Sequence, residues 1–378
     1  MSYFSRLSRP NGSNTFDLGQ RGYEPVQNGQ TLSPGDPRRK SLRAKRCRPA
    51  TIGPLVVVII ILAVIYFKSK DKLDHYGTAV RCRLAVSNGN FPNAPTLPHG
   101  NNTNEANWAK IVTPSELIRK LERGERMNTK ILHQSWKDSH LPERFKAWSE
   151  QWRILHGNDW VYVLWTDADN LQLVQKYYPN FLQTYKDLPK EIYRADMARN
   201  MYMHRFGGVY ADLDLIPLQA LSKHLPVLVS SAPPPIRLAY VGHMSGDEFE
   251  HSIPNAFMAA TPTGHPFWLK PLEFIRDHMG EHKYNKQPEE LTGPVALRRC
   301  VKNWEAERDA RHGQGVFDEV VVLENGKIYP FSWWDAPFTD QCVCRPQSAS
   351  FNPLHCNSLY PHAWTITYWS HSWEAYSW

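Results

Sequence analysis

The sequence predicts an α/β layer fold with a mainly parallel sheet flanked by helices, preceded by one transmembrane helix. Three observations predict it. From Thr129 onward, strand-like and helix-like segments alternate, as βαβ units require. Ahead of them lies an uncharged, strongly aliphatic stretch from Ile52 to Phe67. With 378 residues, 42% of them hydrophobic, the chain has ample material for one large core or two small ones.

Residues 1–50 are rich in Ser, Asn, Gly, Pro and Arg with little apolar periodicity, and read as a disordered basic cytosolic tail. The tail holds ten Lys/Arg against three Asp/Glu, so the net charge of +7 belongs to it and the remainder is formally neutral. A nucleic-acid enzyme would place its basic surface on the fold, and that class is excluded. Residues 51–67 are the transmembrane anchor; as a helix the uncharged run reaches roughly 25 Å, enough for a thin early-secretory bilayer. Its β-branched composition would also suit a buried strand pair, but no strand runs that long without a turn. Some fifty preceding residues argue against a cleavable signal peptide. Seven Lys/Arg lie in 38–48 against four between Lys68 and Arg81, which puts the N-terminus in the cytosol. The expectation is a single-pass type II protein of the Golgi or ER membrane, its bulk in the lumen. Cys82, Cys300, Cys342, Cys344 and Cys356 are then lumenal, where disulfides persist, and Cys47 is cytosolic. Five thiols cannot all pair within one chain, and the cluster Cys342, Cys344, Cys356 suggests a local bridge. A zinc site there lacks the paired C-x-x-C spacing. Asn101-Asn-Thr103 is a glycosylation acceptor, whereas Asn11-Gly-Ser13 stays bare.

Residues 68–128 read as a stem, turn-rich from Asn88 to Asn102 and ending in a short amphipathic helix near Ser115 to Arg123. The lumenal domain occupies 129–378. Lys130–Trp136 and Trp160–Trp165 are strand-like, and Asp167 is expected to cap a helix running to about Tyr178. A second helix spans Glu191 to Phe206, with Ala198, Met201, Tyr202 and Phe206 at helical spacing. Gly207 and Gly208 stop it. Val209 to Asp214 reads as a short strand that projects Asp212 and Asp214 to one face. Further strands are expected near Asn255–Ala260 and Glu319–Leu323. No internal repeat is visible.

Two neighbouring carboxylates repel each other unless a cation sits between them. A hard divalent ion shared with a substrate diphosphate is the natural occupant. A lone Asp-x-Asp is more often a solvated strand end; the preceding helix and its Gly-Gly stop set this one apart. In open α/β sheets, ligands sit at the carboxyl ends of the strands. Gln134 and Trp136, Trp165 and Asp167, and Asp212 and Asp214 fall there in turn. An aromatic face can stack a base while the Asp pair holds a metal-bound diphosphate, which implies transfer from a nucleotide-activated donor.

From about Thr129 to Trp373 the chain resembles glycosyltransferase family 32, the "sugar-binding region containing DXD motif" group. That group includes fungal initiating α-1,6-mannosyltransferases and the enzymes that make mannosyl inositol phosphoceramide. Five segments carry the resemblance: Ile131-Leu-His-Gln-Ser-Trp136, Leu164-Trp-Thr-Asp167, Arg194 through Asp214, Asn255 through Pro266, and Thr292-Gly-Pro294. It implies a GT-A-type, Rossmann-like fold, Mn²⁺ or Mg²⁺, a GDP-mannose donor and retention of anomeric configuration. Asp214 would ligate the metal, and Asp212 would hold the donor ribose or share the metal. Asp196 and Arg199, three apart on one helical face, would contact donor sugar and diphosphate, Arg199 neutralising the departing nucleotide. Their bland reading is an intrahelical ion pair. Gln134 joins the donor side and Trp136 would stack on the base, unless it is one more core Trp. The end departs from the family's Gly-Ser-Trp: here Tyr368-Trp-Ser-His371-Ser-Trp373. His371 would add a metal or phosphate contact, with His362 its competitor, and Ser372 and Trp373 would close over the diphosphate. The Trp-rich tail around them is explained mostly by core packing.

No protein base is required, because the leaving phosphate oxygen can accept the acceptor's proton. A metal-dependent phosphohydrolase would gather more His and Asp around two ions. An inert subunit among other glycosyltransferase subunits is the third reading, and intact Asp196, Arg199, Asp212 and Asp214 count against it. No second uncharged run follows residue 67, which tilts the acceptor toward a glycan over inositol phosphoceramide or another glycolipid.

Overall fold

The computed structural model describes residues 104–125, 129–225, 236–281, 287–308, 310, 318–332, 339–344 and 350–369. The tail, the anchor 51–67, the glycosylation acceptor and His371, Ser372 and Trp373 lie outside the described residues. Among the described residues no helix is long and apolar enough to cross a membrane.

Nine strands are described: β1 (Lys110–Ile111), β2 (Ile131–Ser135), β3 (Val161–Trp165), β4 (Gly208–Ala211), β5 (Leu215–Pro217), β6 (Arg237–Gly242), β7 (Phe257–Thr261), β8 (Asp318–Leu323) and β9 (Thr365–Thr367). Seven form the central sheet in the order β1-β3-β2-β4-β7-β6-β8, while β5 and β9 pair antiparallel on their own. In the central sheet only β7 runs against its neighbours; β1, β3, β2 and β4 pair parallel, as do β6 and β8. Six strands therefore end on one edge. The central strands β4 and β7 are buried throughout, because helices or the small sheet cover both faces.

The helices are α1 (Pro114–Glu122), α2 (Glu143–His156), α3 (Asp167–Tyr177), α4 (Leu182–Asp187), α5 (Glu191–Arg205), α6 (Lys270–His278), α7 (Pro288–Leu291), α8 (Pro294–Ala306) and α9 (Pro353–Ser358). On one face α1, α3, α5, α6 and α8 bury Leu117, Leu173, Met201, Leu272 and Val301 against Val163, Tyr210 and Met258. On the other, α2 and the β5–β9 pair cover the sheet, and the Trp152 indole donates to the Leu215 carbonyl at 2.7 Å to fix one to the other. Cys344 and Cys356 form the local disulfide, tying α9 to the turn before it. Cys300 is a buried thiol.

Three local expectations change. Residues from Asn104 already belong to the folded layer: β1 pairs with β3, and α1 buries Leu117 and Ile118 in the core. The helix expected in the stem is thus packed against the sheet. Second, the cap of α3 is Thr166, not Asp167. Its hydroxyl accepts from Asp169 N while the Asp169 carboxylate accepts from Thr166 N, a reciprocal capping box that needs the three-residue spacing. Third, β4 ends at Ala211, before both acidic residues.

The stop of α5 is as expected. Gly207 and Gly208 have φ of +65° and +82°, which side chains other than glycine's rarely adopt. A Cβ on Gly208 would come within 2.5 Å of the Ile131 carbonyl oxygen. Two glycines in succession turn the chain from α5 straight into β4, pressed against β2.

Candidate active site

The site is built where β4 leaves the sheet. Asp212 N donates to the Ala256 carbonyl at 2.9 Å, and Leu215 N donates to the Asp212 carbonyl at 3.0 Å, closing a tight turn. Asp212 and Asp214 therefore occupy a turn between β4 and β5 instead of two positions of one strand. Leu213 between them is buried, and both acidic residues are partly exposed.

Tyr210, on the α5 face of β4, and Asp212, just past the end of that strand, meet on the side of α5. The Tyr210 hydroxyl donates to Asp212 Oδ1 at 2.6 Å. Arg199 Nη1 approaches the same oxygen at 3.0 Å and also donates to the Asn255 carbonyl at 2.9 Å. The guanidinium lies over the Tyr210 ring, 4.6 Å from its centroid. Behind it, Arg199 Nη2 sits 3.1 Å from Asp196 Oδ1. Asp196 accepts further bonds from Asn255 Nδ2 at 2.9 Å and from the Thr292 hydroxyl at 3.0 Å. Asp212 Oδ2 receives no hydrogen bond from any described residue.

Asp196 and Arg199 are buried; the Asp212 side chain is 30% exposed. Burial pushes the Asp196 carboxyl up to about 6, with Arg199 opposing. Burial also works against the charge on Arg199, but Asp212 and Asp196 outweigh it and raise its pKa. A buried cation between two carboxylates is the arrangement in which a charge survives away from water.

Other expected residues fall into two groups. Gln134 is buried under the turn: its Nε2 donates to the Asp212 carbonyl at 3.3 Å, and its Oε1 accepts from Ser149 and Tyr162. It buttresses Asp212 from below. Trp165 is core, stacked on Tyr202 at 4.5 Å and donating to His133 Nδ1 at 3.0 Å. Trp136 follows β2, its N–H bonded to the Trp165 carbonyl and its ring tilted on Phe145 of α2 at 5.3 Å. Asp167 is half-buried at the end of β3, where burial and then Glu191 push it up to about 6. His362 is exposed beyond α9. The bland reading of Asp196 and Arg199 holds as far as it goes, since they do form an i, i+3 ion pair. Sequence reasoning assigned no role to Tyr210, Asn255 or Thr292. Strand alternation gave a signal for Tyr210; nothing in the sequence ties Asn255 or Thr292 to Asp196.

Among the described residues no group of three or more His, Cys, Asp or Glu converges as a cage for a metal ion. The donor set on the turn is two carboxylates with hard oxygens. That suits a cation of the Mg²⁺ or Mn²⁺ kind, which takes its remaining ligands from phosphate and water. The residues present fit such an ion.

Residues 142–231 match the model of the glycosyltransferase sugar-binding region containing DXD motif. The chain is 40% identical over 86 residues to inositol phosphoceramide mannosyltransferase 3 of Schizosaccharomyces pombe, covering 23% of this chain and 24% of that protein. It is 31% identical over 155 residues to the mannosyl phosphorylinositol ceramide synthase SUR1 of Saccharomyces cerevisiae, covering 39% and 35%. To the initiation-specific alpha-1,6-mannosyltransferase of the same yeast it is 26% identical over 133 residues, covering 31% and 28%. These alignments thus span about a quarter to a third of each relative's length. The solved PaToxG glycosyltransferase superposes with a TM-score of 0.29 at 14% identity, over 63% of this chain and 95% of that one.

Proposed function

We infer that this chain, which carries the glycosyltransferase sugar-binding region containing a DXD motif, is a metal-dependent mannosyltransferase using GDP-mannose. The observation that carries the reading lies inside the matched segment. Asp212 is fixed from behind by Arg199 and Tyr210, keeps Oδ2 open, and stands beside Asp214 at the edge where the parallel strands end. Asp214 and Asp212 would hold Mn²⁺ or Mg²⁺, and Arg199 would keep Asp212 oriented. When bound, the cation supplies Lewis-acid stabilisation of the leaving nucleoside diphosphate, an effect of several kcal/mol.

The reaction forms one bond and breaks one. An acceptor hydroxyl oxygen bonds to the sugar's anomeric carbon as the bond from that carbon to the phosphate oxygen breaks. The nucleoside diphosphate leaves with the electron pair, its oxygen accepts the hydroxyl proton, and attack from the side of departure retains the configuration. The acceptor we favour is inositol phosphoceramide. The relatives with 31% and 40% identity carry that lipid or its product in their names, against 26% for the initiation-specific alpha-1,6-mannosyltransferase. A glycan acceptor is the second reading, supported by the absence of a second uncharged run after residue 67. Anchoring through residues 51–67, with the catalytic domain in the Golgi lumen, completes the proposal.

The test is transfer by the full-length chain in detergent, given GDP-mannose, Mn²⁺ and either inositol phosphoceramide or a mannose-rich N-glycan. Mannosylated lipid is expected. Mannosylated glycan alone would overturn the acceptor; binding of donor and Mn²⁺ without transfer to either would mark an inert subunit. Release of free mannose without an acceptor would mark a hydrolase.

A further inference from the structure

We propose that Tyr210 is a positioning residue, whose hydroxyl shares Asp212 Oδ1 with Arg199 so that Asp212 presents Oδ2 alone, in a fixed orientation, to the metal and donor. This rests on the reading of the β4–β5 turn as a metal and nucleotide site. The terminal torsion of an Asp side chain is broad and roughly two-fold, so a carboxylate held by one contact can turn about it. Two donors on the same oxygen, at 2.6 and 3.0 Å from different elements, remove that freedom. The donors are themselves fixed. The Tyr210 ring is buried in β4 under the Arg199 guanidinium, with the Tyr202 ring 6.1 Å away. Arg199 is anchored by Asp196 and the Asn255 carbonyl, and Asp196 by Asn255 and Thr292. A continuous buried chain thus runs from Thr292, between α7 and α8, to the one open oxygen of Asp212.

The phenol is the neutral group of this chain that touches Asp212 itself. Tyr210→Phe removes the hydroxyl but keeps the ring, the cation–π contact and every charge, so it tests orientation separately from electrostatics. A hydrogen bond to a charged acceptor contributes more than a neutral one, enough for about a tenfold change in a binding constant.

The experiment titrates Mn²⁺ with and without GDP into the full-length chain in detergent, following free Mn²⁺ by its paramagnetic resonance. Asp214→Asn serves as the variant that removes a ligand. Tyr210→Phe is expected to weaken Mn²⁺–GDP binding about tenfold at a temperature well below its Tm, and to raise KM for the donor more than it lowers kcat. Binding by Tyr210→Phe within twofold of wild type, with wild type itself binding, overturns the inference and leaves the functional reading standing. A wild-type chain that binds no Mn²⁺–GDP overturns both. Should Tyr210→Phe fold poorly, the same titration on Thr292→Val reads the chain from its other end. A two- to threefold weakening is expected there, and none would overturn the proposal.

Discussion

Asp212 gives one carboxylate oxygen to Arg199 and Tyr210 and leaves the other open, so its outward chemistry is that of a single, oriented oxygen atom. Asp214, two residues on across a tight turn, is the other hard donor beside it. If the turn holds a cation against a diphosphate, Asp214→Ala removes stabilisation that matters most as the nucleotide departs. Its turnover should fall at least ~100-fold, comparable with losing a strong oxyanion contact. Near-wild-type turnover in saturating Mn²⁺ would refute that role. Much of this was readable in advance, because Asp196 and Arg199 at helical spacing and a Gly-Gly stop before Asp-x-Asp put the three charged residues within reach of one another. Gln134 and Trp165 were not readable. Both lie at strand ends on the correct edge, but the sheet is covered on both faces, so side chains there turn into the core on either side, and sequence alone does not say which do.

The same boundary appears among the elements. Helix α5 ends where two glycines must be, and Gly208 admits no side chain because the Ile131 carbonyl stands 2.5 Å from where a Cβ would lie. Gly208→Ala adds left-handed backbone strain to that clash. It should destabilise the protein by at least about 1–2 kcal/mol, read as a lowered urea midpoint with unchanged slope. An unchanged midpoint would mean the backbone relaxes without cost. Elements defined by periodicity and glycine were legible: β2, β3, α5, β7 and β8 fall close to their expected bounds. Elements decided by local hydrogen bonds were less so. Thr166 and Asp167 are both cap-forming residue types, and the reciprocal bonds with Asp169 select Thr166. Likewise Asp212-Leu-Asp214 alternates as a strand would, yet the bond from Leu215 N to the Asp212 carbonyl folds it into a turn.

Across the whole molecule, each face of the sheet buries a neutral histidine, and this couples the stability of both cores to pH. On the α5 face, His133 Nδ1 accepts from the Trp165 indole and its Nε2–H meets the Gly207 carbonyl at 3.0 Å. On the α2 face, His156 Nε2 accepts from Leu221 N at 3.3 Å while its Nδ1–H meets the Trp152 carbonyl at 2.9 Å. In both rings one nitrogen must stay unprotonated to accept. Burial accordingly pushes His133 down to about 3 and His156 down to about 4. The unfolded chain takes up protons near pH 6.5 and the folded one does not, so these groups favour folding above pH 6.5 and lose that contribution as pH falls toward the folded values. Asp167 and Asp196, both pushed up to about 6, act in the opposite sense as pH falls through their own range. A comparison with His156→Gln cancels them. Glutamine can both donate and accept but does not titrate. Between pH 7 and pH 5 the stability of wild type relative to this variant should therefore fall by about 2 kcal/mol. Urea unfolding of both proteins at the two pH values measures it; a difference independent of pH would mean that His156 titrates in the folded protein as it does in the unfolded chain, its face of the core open to water.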